Sequence, residues 1–349
     1  MQMETLWVER QCPQAGAIRL HVAACGPADA PPLFFVHGFP EFWWAWREQL
    51  AHFSKDFRCY AIDLRGFNLS SQPTDVGAYK TSLILDDLRA VIDQLARGRV
   101  RAVIAHDWGG AAAWSLAAQS PELMDRFVVI NSPHTLMFAK ALALDEAQIA
   151  ASGYMNWLRT PGAEAVLAEN GFERLLKMAS VTGDEAVAAY RACWARGLTG
   201  GCNYYRASPL YPDTPETAGR AASFFAALRP EPFRVTLPTQ IICGTADTAL
   251  RPVLLEGIEA HVPGVQIARI EGASHWLLRE KRVFSADSSL QMLAIASYCC
   301  ALRLDSTKNP SFLLVASIPQ HYTRALLFQP FLEPVFSLTC PRSDAPDFR

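Results

Sequence analysis

The 349-residue sequence predicts an α/β fold, with a mostly parallel central sheet flanked by helices and a helical block inserted into it. Three observations carry this. Short apolar runs recur along the chain, nearly unbroken by polar residues, as strands buried on both faces of a parallel sheet require. Helical patterns separate them. The alternation then lapses between roughly residues 135 and 230 and resumes afterwards.

Taken in order, Thr5 to Glu9 and Ala17 to Ala23 alternate and predict an antiparallel hairpin at the sheet edge. Leu33-Phe34-Phe35-Val36 ends at His37-Gly38, and Cys59-Tyr60-Ala61-Ile62 ends at Asp63. Val100 to Ala105 ends at His106-Asp107, and Phe127-Val128-Val129-Ile130 ends at Asn131. Gln240-Ile241-Ile242-Cys243 ends at Gly244, and Val265 to Ile270 ends near Gly272. Helices are expected over Glu41 to Phe53, Thr81 to Leu95 and Gly110 to Gln119. From 135 to 230 the text is helical and aromatic, with Tyr154, Trp157, Tyr190, Trp194, Tyr204 and Tyr205, and is interrupted by prolines. Placed between two strands, such a block lies over the C-terminal strand ends, where ligands bind in α/β sheets, and it reads as a lid. The expected organisation is therefore a core in two parts, 1–134 and 231–281, a lid at 135–230, and a divergent tail at 282–349 that receives no assignment.

Composition bounds the function classes. Half the residues are hydrophobic and 19% are charged, which fits a globular chain and argues against disorder. A net charge of -2 and a pI near 6.5 imply no nucleic-acid partner. The nine cysteines show no CxxC pair, and Cys299 and Cys300 are adjacent, so a reducing, cytoplasmic setting is expected. Met1 to Gly16 lacks a secretory pattern. The richest apolar stretch, Leu290 to Leu304, is too short and too polar for a membrane span. No ligand spacing points to a metal or cofactor, and nothing sets the oligomeric state.

The chemistry is carried by four sites. Ala105-His106-Asp107-Trp108-Gly109-Gly110 follows a strand and opens an alanine-rich helix. This is the setting of a nucleophile elbow, with Asp107 where esterases carry serine. The turn is sharp, so Ala105 and Gly109 suit the close approach of strand and helix. The helix N-terminus favours the negative charge of Asp107, and an ionised carboxylate attacks carbon without a base. A competing expectation is that Asp107 merely caps the helix. His37-Gly38-Phe39-Pro40 follows a strand where such folds supply an oxyanion-hole N–H, making Phe39 and Trp108 the expected donors. Asp247, in Gly244-Thr245-Ala246-Asp247-Thr248, and His275, in Gly272-Ala273-Ser274-His275-Trp276, complete the chain order nucleophile, acid, histidine. Taken singly, Asp247 is a turn residue and His275 a structural histidine. In that order, His275 is the expected base for water, oriented by Asp247.

This ordered set, with Trp46-Arg47 and Asp63-Leu64-Arg65-Gly66, resembles the epoxide hydrolase and haloalkane dehalogenase branch of the α/β-hydrolases, over roughly Leu33 to Glu280. The resemblance implies an α/β-hydrolase fold and a covalent aspartyl ester. Gly153-Tyr154-Met155-Asn156 and Asn203-Tyr204-Tyr205-Arg206 resemble the segments that supply two lid tyrosines in epoxide hydrolases, which assigns Tyr154 and Tyr205 as donors to the epoxide oxygen. The expected partners are a small apolar epoxide and water. Trp43, Trp157 and Leu277 are weaker candidates for pocket walls. Haloalkane dehalogenation is the runner-up, since Trp108 suits a halide donor, but Phe39 stands where those enzymes commonly carry Asn or Glu. A non-catalytic receptor on the same scaffold is a second alternative. Two departures stand out. Asn68 replaces a usual glycine, and the proline-bearing turn and amphipathic helix expected after Lys281 are missing from the text.

Overall fold

The computed structural model describes residues 2–280. The tail at 282–349, with its apolar stretches, lies outside the described residues. An eight-stranded sheet has the order β1-β2-β4-β3-β5-β6-β7-β8. Its strands are β1 (Glu4–Cys12), β2 (Gly16–Cys25), β3 (Pro32–Val36), β4 (Arg58–Ile62), β5 (Val100–His106), β6 (Met124–Ile130), β7 (Thr239–Gly244) and β8 (Gln266–Ile270). β1 pairs antiparallel with β2, and β2 with β4; every later pairing is parallel. The expected hairpin is thus present and longer than its alternating cores.

Strand period explains the two cores. Phe34, Val36, Val103, Ala105, Phe127 and Val129 point to one face. Their neighbours Leu33, Phe35, Ala102, Ile104, Val128 and Ile130 point to the other. Both sets are buried, so each run must be apolar throughout, and each large side chain removed from water contributes about 1.5–3 kcal/mol.

Helix α1 (Arg47–Phe53) packs on the second face through Leu50 and Phe53. Helices α2 (Thr81–Ala96) and α3 (Asp107–Gln119) pack on the first. The segment expected as one helix from Glu41 splits into a 3-10 turn, Trp43–Trp46, and α1. Between β6 and β7 run α4 (Thr135–Leu144), α5 (Glu146–Ala151), α6 (Tyr154–Leu158), α7 (Ala163–Met178), α8 (Asp184–Trp194), α9 (Thr199–Ala207) and α10 (Arg220–Ala227). α7 is broken at Glu169–Phe172, where Asn170, Gly171 and Phe172 take left-handed conformations. No helix among the described residues is long and apolar enough to cross a membrane.

The loop after β4 is held by charge inside the protein. Arg65 grips Asp87 of α2 with two bonds, Nε to Oδ2 at 2.8 Å and an Nη to Oδ1 at 2.6 Å. Both side chains are fully buried, and Arg10 adds a bond to Asp87 at 2.9 Å. Asn68 sits in this loop with φ of 45°, a conformation asparagine tolerates, so its replacement of a glycine is accommodated. Removing one partner of a buried pair strands the other charge away from water. Asp87→Ala should therefore lower unfolding free energy by about 3–5 kcal/mol, read from urea denaturation. An unchanged midpoint would mean that the pair is not what anchors the loop.

Candidate active site

The turn joining β5 to α3 places Asp107 at φ 49°, in the left-handed region. His106, not Asp107, is the N-cap of α3. The Asp107 carboxylate turns instead toward the loop after β3, where Oδ1 accepts a hydrogen bond from the Phe39 N–H at 2.7 Å. The approach is so close that a Cβ on Gly38 would overlap the Asp107 side chain, and one on Gly109 would overlap the His37 carbonyl.

The loop is shaped by His37 and Pro40. Buried His37 donates from Nδ1 to the Gly38 carbonyl at 2.8 Å and accepts at Nε2 from the Leu64 N–H at 3.0 Å. That pattern belongs to the neutral ring, and burial lowers its pKa accordingly. The Phe39–Pro40 peptide is cis, and Trp194 of α8 donates its indole N–H to the Pro40 carbonyl at 2.6 Å.

His275 lies between two carboxylates. Its Nε2 is 3.5 Å from Asp107 Oδ2, and its Nδ1 is 2.8 Å from Asp247 Oδ2. Asp247 uses its other oxygen to accept from the Ala249 and Leu250 N–H groups, so one side chain forms the turn and meets the histidine. Burial opposes charge on His275, but the bonds to Asp107 and Asp247 outweigh it and raise the imidazole to about 10. Burial likewise opposes charge on Asp247, and the bond to His275 outweighs it, leaving the carboxyl below its usual range.

Two arms of a cavity meet at Asp107, Tyr154 and Tyr205. The wider arm, about 420 Å³, is also lined by Phe39, Trp157 and His275. The narrower, about 60 Å³, runs between Trp108, Phe138, Met155 and Leu210. Tyr205 is buried, with Trp108 and Phe39 against its ring at centroid distances of 5.0 and 5.4 Å. Tyr154 stands 6.1 Å from it, edge to face, and lines both arms of the cavity. Burial and the nearby negative charge push both phenols above their ordinary range, so both keep their protons near neutrality.

Two expected wall residues are elsewhere. Leu277 is fully buried in the second core, beneath the sheet face that packs α1. Trp43 packs on Phe42 and Trp44, and its backbone N–H donates to Asp63 at 2.9 Å. Sequence reasoning also missed polar residues behind the site. Glu41, buried, holds His106 Nδ1 at 3.0 Å, and His106 Nε2 donates to the His275 carbonyl at 3.0 Å. Burial disfavours charge on Glu41, but Arg279 and His106 overcome it and bring the carboxyl down to about 2. The only sequence signal was a glutamate directly after His37-Gly38-Phe39-Pro40.

Known proteins share this architecture. The sequence profile of the alpha/beta hydrolase fold matches residues 31–281. The AB hydrolase superfamily protein YfhM of Bacillus subtilis is 33% identical over 284 residues, spanning 78% of this chain and 94% of the relative. Epoxide hydrolase 1 of Caenorhabditis elegans is 32% identical over 286 residues, spanning 76% of this chain and 65% of its own length. A mutant epoxide hydrolase from Bacillus megaterium, in complex with its product (R)-3-[1]naphthyloxy-propane-1,2-diol, superposes with a TM-score of 0.72 at 28% identity, covering 83% of this chain and all of that one. Since the profile spans most of the sequence and relatives of matching fold are epoxide hydrolases, the chain belongs to the α/β-hydrolase family and is an epoxide-hydrolase-like member of it.

Proposed function

We propose that the protein opens small apolar epoxides to vicinal diols through a covalent ester on Asp107. The observation that carries this reading is the convergence of one carboxylate, one histidine and two protonated phenols on a single cavity with aromatic walls. A dehalogenase has use for the Trp108 indole but none for paired phenol donors, so the tyrosines favour the epoxide. The receptor reading leaves the Asp107–His275–Asp247 contacts without a purpose. The helical insert at 135–230 is assigned as the lid, because its α6 and α9 carry Tyr154 and Tyr205.

In the first half-reaction an Asp107 oxygen attacks an epoxide carbon, and the C–O bond to the ring oxygen breaks. The departing oxygen takes a proton from a tyrosine, leaving a hydroxyalkyl ester and a tyrosinate. His275 enters this step as imidazolium, and it returns a proton to the tyrosinate through water. Esterification has removed the negative charge of Asp107, one of the two carboxylates that held the proton on His275, so the ring can now act as a base. In the second half-reaction neutral His275 takes a proton from water as the oxygen attacks the ester carbonyl. The oxyanion is held by the N–H groups of Phe39 and Trp108. Collapse expels the alkoxide, which takes the proton from His275 to give the diol. The second water proton, left on the Asp107 carboxyl, passes to His275 and restores the carboxylate and imidazolium. The sum is epoxide plus water.

The direct test is diol formation from styrene oxide by purified protein. Activity should be present in the native chain and absent in Asp107→Ala; a well-folded native protein that forms no diol would overturn the reading. In His275→Gln the first half-reaction should proceed and the second stop, so mass spectrometry should find one epoxide adduct on Asp107. The histidine also has a stability signature. Its pKa is raised from 6.5 to about 10 in the fold, so its stabilising contribution is complete below about pH 6.5 and is lost as pH rises toward 10. The fall in Tm over that window should therefore be shallower in His275→Gln. For the phenols, Tyr205→Phe should slow ester formation about 10- to 100-fold in single-turnover measurements, since one donor of two remains. An unaltered rate would remove Tyr205 from the mechanism.

A further inference from the structure

His275 sits beyond the last described strand, on a segment with no helix or strand of its own, yet its ring is held 2.8 Å from the Asp247 carboxylate and 3.5 Å from that of Asp107. The backbone of that segment is held from the ends of the neighbouring strands. Asn131 is the first residue after β6, 2% exposed, with φ of 38°. Its Nδ2 donates to the Ser274 carbonyl and to the His275 carbonyl, each at 2.9 Å. Its Oδ1 accepts the Gly244 N–H at 2.9 Å, three residues before Asp247. The next residue, Ser132, donates from Oγ to the Asp107 carbonyl at 2.7 Å. The end of β6 therefore touches the segments that carry all three members of the Asp107–His275–Asp247 group. Asn131 lines neither arm of the cavity at Asp107 and borders instead a separate hollow beside Asp247.

The chemistry demanded at this position is narrow. The Ser274 carbonyl and the His275 carbonyl, whose other donor is His106 Nε2, each take an N–H here, and the Gly244 N–H takes an acceptor, all from one buried, uncharged group. A primary amide of this length meets the demand. Asparagine also accepts the left-handed backbone that the position takes.

We propose that Asn131 is the positioning residue for the second half-reaction, setting His275 and Asp247 together against the ester on Asp107. This rests on the covalent reading above. Ester formation depends on Asp107, the tyrosines and the oxyanion loop, none of which Asn131 orients through its side chain. Ester hydrolysis depends on where His275 Nε2 points. Asn131→Asp keeps the acceptor for the Gly244 N–H and replaces the donor with an oxygen facing two carbonyls. Asn131→Ala removes both.

The experiment separates the half-reactions. Under single turnover with styrene oxide, both variants should form the ester at the native rate and hydrolyse it about 10- to 100-fold more slowly, so that the adduct on Asp107 accumulates. Native hydrolysis rates would overturn the proposal. So would an equal fall in both half-reactions, which is what a merely structural role produces. The same variants are read without any epoxide through the low-field NMR signal of the His275 Nδ1 proton shared with Asp247. That signal should shift or broaden in both variants, and an unmoved signal would count against the clamp. A native protein that forms no diol, with variants that still shift the resonance, would remove the epoxide reading and leave the clamp standing.

Discussion

The backbone at Asp107 is left-handed, and aspartate reaches that region only at a cost on the order of 1–3 kcal/mol. Much of the surrounding structure exists to hold it there. The turn drives the carboxylate across the sheet end to the loop after β3, where the Phe39 N–H receives it. That crossing requires bare backbone at Gly38 and Gly109. Ser132 secures the Asp107 carbonyl from the far side, and α3 begins immediately, so the turn cannot relax along the chain. A β5 strand with an ordinary turn would leave the same aspartate as a helix cap facing solvent.

Charge is the second organising feature. One imidazole between two carboxylates holds its proton more tightly than a free ring does. Behind it lies a second buried pair, Glu41 and His106, whose ring reaches the His275 carbonyl. Both buried carboxylates, Asp247 and Glu41, have hydrogen-bond partners, as burial demands. In the proposed cycle this balance is also the timing device. The histidine becomes a base only after the nucleophile has been esterified.

The helical insert brings the remaining chemistry. Its helices carry both phenols and most of the apolar wall into a cavity whose floor is built by the sheet. Arg65 and Asp87 fix the loop beneath this layer, and Tyr204 donates to the Arg65 carbonyl at 3.0 Å, joining insert to core beside Tyr205.

The strands were readable because a parallel sheet buried on both faces leaves no alternation to blur: five of the six expected runs lie within observed strands, and the sixth, Val265 to Ile270, starts one residue before β8. The order of Asp107, Asp247 and His275 was equally plain, since each sits at a strand end marked by glycine. Helix boundaries near Glu41 were not, because a short aromatic 3-10 turn has the same apolar spacing as a helix. Nor was the choice among aromatic and aliphatic wall residues. Trp157 reaches the cavity while Trp43 and Leu277 pack elsewhere, and side-chain type cannot distinguish them. Least visible was Asn131, whose side-chain partners lie 113 to 144 residues away along the chain. Local sequence by itself determined the strands, the sharp turns and the chemical types at their ends, because these follow from periodicity and backbone sterics. Only the tertiary structure decided which polar groups face one another, because hydrogen-bond partners across a parallel sheet are set by strand order and crossover, and neither is written in neighbouring residues.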